Sequence, residues 1–170
     1  MQTKFTTHFT KGLIIGLFMV LMGTTFQVLN IYEKWVQWTT FGIYSASIIW
    51  CCYSYSRELN GEVSFRQIFS HGFKTASIVT LISIAAFIIT YLIMPEIKEK
   101  SLQIARDEMA KDPRMTEEII NQSIAWTDKF FLVFGIVGSL FGFALTGAIS
   151  SLIGAAISRK TPKDAMPKSL

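Results

Sequence analysis

Four stretches of this chain carry no ionised side chain: residues 12–29, 36–56, 75–94 and 130–158. Each is 18 residues or longer, and about 20 helical residues at 1.5 Å each cross the ~30 Å hydrocarbon core of a bilayer. Lipid cannot satisfy a bare backbone, so a spanning segment is either a helix or part of a closed barrel. None of the four alternates strictly between apolar and polar positions, as a barrel strand must. The pattern therefore predicts an all-α protein, a four-helix transmembrane bundle. Its spans cover about 12–29, 36–56, 72–94 and 130–157, within a single integral membrane domain over 1–170. The fourth run, at about 43 Å if straight, must tilt, break near Gly147 or emerge into the headgroups.

Lys4 and Lys11 precede the first run as a basic leader would. That run is too long for a signal peptide, however, and no small-x-small cleavage site follows it. It is expected to be retained as a first span.

Residues 95–129 form the polar insert. Ile97, Ser101, Ile104, Ala105 and Met109 recur at helical spacing, and Met115, Ile119, Ile120 and Ile124 make a second stripe. Between them Asp112 is expected as an N-cap with Pro113 at the first helical position. The insert thus reads as an extramembrane helical hairpin, its stripes facing each other or a partner.

Before the third span, Asn60-Gly61 is a turn dipeptide. Ser64 with Gln67 is a capping box, and Val63 is placed to staple onto Ile68. One helix is expected from Ser64 to Met94, longer than a bilayer core requires. Its first turns then lie in the interface, with Phe65, Phe69 and Phe73 on one stripe and Arg66, Ser70 and Lys74 on another. Pro95 ends or kinks this helix. Tyr32, Trp35, Trp38 and Trp126 fall at one set of span boundaries and Trp50, Tyr53 and Tyr55 at the other, as headgroup anchors do.

Small residues mark helix-packing positions: Gly12 and Gly16 in the first span, Gly135, Gly138, Gly142, Gly147 and Gly154 in the fourth. Small-xxx-small pairs let backbones approach closely. Because the fourth span carries them on more than one face, it is expected to be the central helix or a homo-oligomer seam.

Composition agrees with this picture. Of 170 residues 51% are hydrophobic and only 16% charged, against roughly 25% charged in soluble domains. A disordered chain is excluded. The net charge of +4 comes with no dense basic patch, so nucleic acid is not an expected partner. Four spans place both termini on one side. That side carries Lys4, Lys11, Arg57, Arg66, Lys74, Arg159, Lys160, Lys163 and Lys168, nine cations against seven opposite. Positive-inside reasoning then puts the termini in the cytoplasm and the insert outside.

Chemistry is sparse. No Asp or Glu lies within a span, which argues against an ion-coupled transporter. No phosphate loop, H-E-x-x-H or G-x-S-x-G motif is present, so no catalytic residue and no cofactor is expected. His8, Cys51, Cys52 and His71 are the only His and Cys residues and fall near one face; they are the sole metal candidates. Adjacent cysteines in a span are more simply small apolar fillers, and no disulfide is expected of them. Arg66 and Lys74 are candidates for a lipid headgroup, although cations at a helix end snorkel routinely.

Several stretches carry a resemblance. They are 12–16 (GLIIG), Asn60 to Phe65, Phe69 to Phe73, Tyr91 through Pro95-Glu96, and 149–156 (ISSLIGAA) ending in Arg159-Lys160. Together they are similar to bacterial membrane proteins catalogued as domain of unknown function four-one-nine-nine. The resemblance implies a four-span protein of the bacterial inner membrane with a helical insert before the last span; it assigns no residue a role. The resulting expectation is a non-enzymatic multi-pass membrane protein. It would contact the lipid bilayer and act as a structural or interaction subunit, associating with itself or with other membrane proteins. The alternative is a small transport or channel component.

Overall fold

A computed structural model describes residues 7–29 and 31–158. Among them six helices and no strand occur: α1 (His8–Val28), α2 (Lys34–Glu58), α3 (Phe65–Ile93), α4 (Pro95–Met109), α5 (Glu117–Lys129) and α6 (Phe131–Ser158). Lys4, Arg159, Lys160, Lys163 and Lys168, which weigh in the orientation argument, lie outside the described residues, as does the side chain of Lys34. Three helices, α1, α3 and α6, are long and apolar enough to cross a membrane, and these mark a membrane protein. α2 has the length, 25 residues, but not the apolarity.

The helices form two compact units. One takes residues up to Ser83 together with those from Gly142 onward; the other is Ile84–Phe141.

In the first unit α2 supplies the centre. Tyr44, Ile48, Cys51 and Cys52 lie on one helical stripe and are fully buried. Around them pack Ile15 and Met19 of α1 and Ala76 and Val79 of α3, while Cys52 sits with Ile68 and Ala155. Several hydroxyls of α2 are satisfied internally, as burial away from water requires. Thr40 and Ser47 donate to the carbonyls of Val36 and Ile43 at 2.8 Å. Tyr44 Oη donates to the Phe143 carbonyl at 3.1 Å, and Ser56 Oγ to that of Ser158 at 2.8 Å.

The expectation that the last helix is central is corrected here. Only 6% of its most apolar stretch is buried. Its small residues Gly147, Ser150, Ser151, Gly154, Ala155 and Ser158 form a single buried face, and Phe141, Leu145 and Ile157 point outward. α6 runs without a break through Gly147.

Capping decides where α3 begins. Gln67 N–H is held by Ser64 Oγ at 3.4 Å, and Ser64 N–H donates to Gln67 Oε1 at 2.9 Å; these are the two halves of a capping box. Val63 packs against the Ile68 cluster, as a staple does. Asn60 (φ 54°) and Gly61 (φ 80°) turn the chain between α2 and α3; positive φ suits Asn and Gly far better than other residues.

In the second unit Met94 breaks the helix and Pro95 opens α4 at its first position, where a missing N–H costs nothing. α4 packs on α5, and the partners run in opposite directions: Lys98 pairs with Asp128 at 2.7 Å and Arg106 donates to Asn121 at 2.6 Å. Ile97, Ser101, Ile104, Ala105 and Met109 are half-buried along α4; Ile120 is buried and Ser123, Ile124 and Thr127 half-buried along α5.

Asp112 is not the N-cap of α5. That helix starts four residues later, with Thr116 accepting from Ile119 N–H at 3.4 Å. The Asp112 carboxylate is occupied by Arg114 instead, accepting from its backbone N–H at 3.0 Å and its guanidinium at 2.8–3.0 Å. A carboxylate drawn into this local turn is directed at Arg114 and away from a helix end.

Candidate functional site

The first turns of α3 line a cleft of about 300 Å³ with Arg66, Gln67, Ser70, His71 and Lys74; α2 adds Tyr55 and α1 adds His8. The α3 residues share a face because spacings of three and four return to the same side of a helix. The cap at Ser64 fixes where that face starts, and the turn at Asn60-Gly61 brings the last turns of α2 alongside.

His71 is the best-positioned group in the cleft. It is 7% exposed. The Tyr55 ring stacks on it at 4.0 Å between centroids and 10° between planes, and His8 meets it edge-on at 5.9 Å. Its Nε2 is buried and has no hydrogen-bond partner among the described residues. Arg66 and Lys74 are exposed, and neither has a carboxylate partner among the described residues. Among the described residues no acid lines the cleft.

The nearest acid with a defined partner is Glu58, in the last turn of α2. Lys11, 6% exposed, donates from Nζ to Glu58 Oε1 at 2.8 Å and to Ser54 Oγ at 3.1 Å. Burial pushes the Glu58 carboxyl upward, but the hydrogen bonds from Lys11 and Ser54 and the charge of Lys11 outweigh it and hold the group below its ordinary value.

The metal candidates do not converge. Cys51 belongs to the core around Tyr44 and Ile48. Cys52 points toward the Ile68 and Ser151 carbonyls at 3.8 and 4.0 Å, between Gly72 and Gly154. Both thiols are free and buried, while the two imidazoles line the cleft. Among the described residues no three of His, Cys, Asp or Glu are grouped to hold a metal.

The glycines divide as well. A Cβ at Gly12 would meet Ile78 Cβ at 2.8 Å, and one at Gly16 would meet Ile82 Cδ1 at 2.7 Å. At Gly147 it would meet Ala76 at 2.6 Å, and at Gly154 Cys52 at 2.8 Å; at Gly135 it would overlap the Phe87 ring. Gly142 leaves ordinary contact with Phe41 at 3.6 Å, and Gly138 has open space.

A second cleft, of about 330 Å³, lies in the other unit between Pro95, Lys98 and Tyr91. Its lysine is already neutralised by Asp128.

The pattern of the sequence finds the Arg66, Ser70 and Lys74 stripe because it is local to one helix, and it names His71 only beside the cysteines and His8. It reads Tyr55 as a headgroup anchor and Lys11 as part of a basic leader, and misses both partnerships. The only signal for them is a polar residue on the inner face of an apolar helix.

Comparison with known proteins gives one match. The family described as "Protein of unknown function (DUF4199)" matches residues 10–160. No curated protein matches the chain, and no solved structure does.

Proposed function

The chain belongs to the DUF4199 family of proteins of unknown function, and from that premise we propose a non-enzymatic, multi-pass interaction subunit of a bacterial inner membrane. On this reading α1, α2, α3 and α6 all span, both termini are cytoplasmic, and α4 with α5 stands outside. The reading of α2 as a span draws support from its buried stripe and internally satisfied hydroxyls. A helix surrounded by other spans does not need to be as apolar as one facing lipid.

The observation that carries the interaction role lies on α5 and the turn before it. The apolar side chains of α4 and α5 mostly face each other, and Trp126, 56% exposed, lies at the end of α5 that joins α6; at the other end Met115 and Ile119 are 39% and 43% exposed. Lipid explains the exposed Leu, Ile and Phe of the long helices. It does not explain these two, which the proposed topology puts in water, where clustered apolar exposure marks a contact surface. The partner is a second copy or another membrane protein.

The test uses cells expressing the full chain with single cysteines. A cysteine replacing Lys111 should react with a membrane-impermeant maleimide in intact cells; protection would overturn the topology. A cysteine replacing Met115 should cross-link to a protein partner, and Ile119→Glu should abolish that product. A chain that stays monomeric and uncross-linked would overturn the interaction role.

A further inference from the structure

We propose that the cleft formed by α3 with Tyr55 and His8 binds the phosphate group of an anionic ligand, either a phospholipid headgroup or a free phosphate anion. The headgroup form rests on the membrane reading above.

The chemistry of the lining is one-sided. Arg66 and Lys74, two turns apart on α3, bracket Ser70 and His71, and among the described residues no carboxylate lines the cleft. The neighbouring Glu58 lies outside the lining and accepts from Lys11 and Ser54 on Oε1, while its Oε2 is buried. A guanidinium offers paired N–H donors that match phosphate oxygens, and an ammonium adds a mobile point charge. Ser70 contributes a hydroxyl. Gln67 has its Oε1 committed to the Ser64 cap, which leaves its amide N–H groups to donate.

Snorkelling accounts for Arg66 and Lys74 on their own, since cations at a helix end reach headgroup depth without a binding site. It does not account for His71. This imidazole is more than nine-tenths buried, is stacked on the Tyr55 ring and lines the cleft, and its buried Nε2 has no partner among the described residues. Buried polar atoms are nearly always hydrogen-bonded, and an exception asks for a ligand. An Nε2–H donating to a phosphate oxygen completes the set. Phe65 and Phe73, on the neighbouring stripe, are 37% and 39% exposed. Aromatic rings there would lie beside the acyl chains while the cationic face meets the headgroups.

The experiment places the full chain in nanodiscs of equimolar phosphatidylglycerol and phosphatidylcholine and counts retained lipids by native mass measurement. Wild-type protein should retain phosphatidylglycerol preferentially. The surface double variant Arg66→Gln/Lys74→Gln should reduce that preference by about 25-fold, at about fivefold per cation removed. Lys111→Gln/Arg114→Gln, in the turn between α4 and α5, should leave it unchanged. His71→Phe should reduce the preference and His71→Gln, which restores a donor, should recover part of it; thermal unfolding confirms that each variant is folded.

Calorimetric titration of inorganic phosphate into nanodiscs of phosphatidylcholine alone separates the two sources. Saturable heat lost in Arg66→Gln/Lys74→Gln, without any phosphatidylglycerol preference, assigns the site to a free anion. Phosphatidylglycerol retention that inorganic phosphate does not displace assigns it to the headgroup. No preference and no saturable phosphate binding overturns the proposal, and so does equal loss in the two double variants. Failure of the membrane reading would show differently, as protein that does not enter the nanodisc at all.

Discussion

Lys11 lies near the start of a helix otherwise suited to lipid, yet it is almost wholly enclosed and shares its charge with Glu58. Ion pairs at exposed sites are worth little; enclosure changes the balance, because removing one partner strands the other. Lys11→Met is expected to lower stability by about 2–3 kcal/mol, less than for a fully buried pair because Glu58 keeps some solvent contact. Lys11→Met/Glu58→Leu should recover most of that loss, as read by thermal unfolding in detergent. The pH dependence has a definite sign. The folded Glu58 carboxyl titrates below its ordinary 4.5. Its stabilisation is therefore complete above that value and disappears as pH falls through the lower folded value. Wild type should lose stability on acidification below about pH 4.5, and Lys11→Met/Glu58→Leu should lose less. A shared acid response would exclude the pair as its source.

Among the elements, two kinds of boundary separate what local pattern specifies from what it does not. Caps are local, and α3 starts where Ser64 and Gln67 say it should. The start of α5 illustrates a competition between two local signals. Asp112 and Thr116 can each cap a helix, and the Asp112 carboxylate is captured by Arg114. Thr116→Ala should cost about 1 kcal/mol of local stability in α5 and speed amide exchange in its first turn. Asp112→Ala should leave that turn protected; fraying there would restore Asp112 as the cap.

Glycine spacing is legible, but which glycines touch a neighbour is not. Gly154→Ala pushes a methyl onto Cys52 and the Ile49 backbone and should cost about 1–3 kcal/mol. Gly138→Ala meets open space and should leave stability unchanged or raise it by up to about 1 kcal/mol. Thermal unfolding of the two variants checks the contrast, and equal effects would refute it.

For the whole molecule, the outward surface of the long helices is the main fact. Leu21, Leu81, Leu92, Ile93, Phe141 and Ile157 are each 65% exposed or more. Water penalises such a surface and lipid does not. The helical class and the apolar lengths follow from composition laid out along the chain, since any uncharged run of this length must satisfy its own backbone by coiling. The same argument ranks α2 with the others and so misses its different part. Its hydroxyls and aromatics lower its apolarity, and only the stripe through Tyr44, Ile48, Cys51 and Cys52 is enclosed by neighbouring helices.

Half of the candidate site was legible for the same reason. Arg66, Ser70, His71 and Lys74 recur at intervals set by one helix, so the sequence by itself determines that they share a face. It likewise determines the helical class, the cap of α3, and the two amphipathic stripes that become α4 and α5; of the four runs it reads as spans, three are long and apolar enough to cross a membrane. Only the tertiary structure decided that Tyr55 stacks on His71, that His8 joins them, that Lys11 pairs with Glu58, and that Cys51 and Cys52 belong to the buried core. Those pairings join residues 47 to 63 positions apart for the His8, Lys11 and His71 contacts. Helical periodicity orders neighbours within a few turns. Contact between helices depends on which small residues let two backbones close together, and that is settled only when the helices pack.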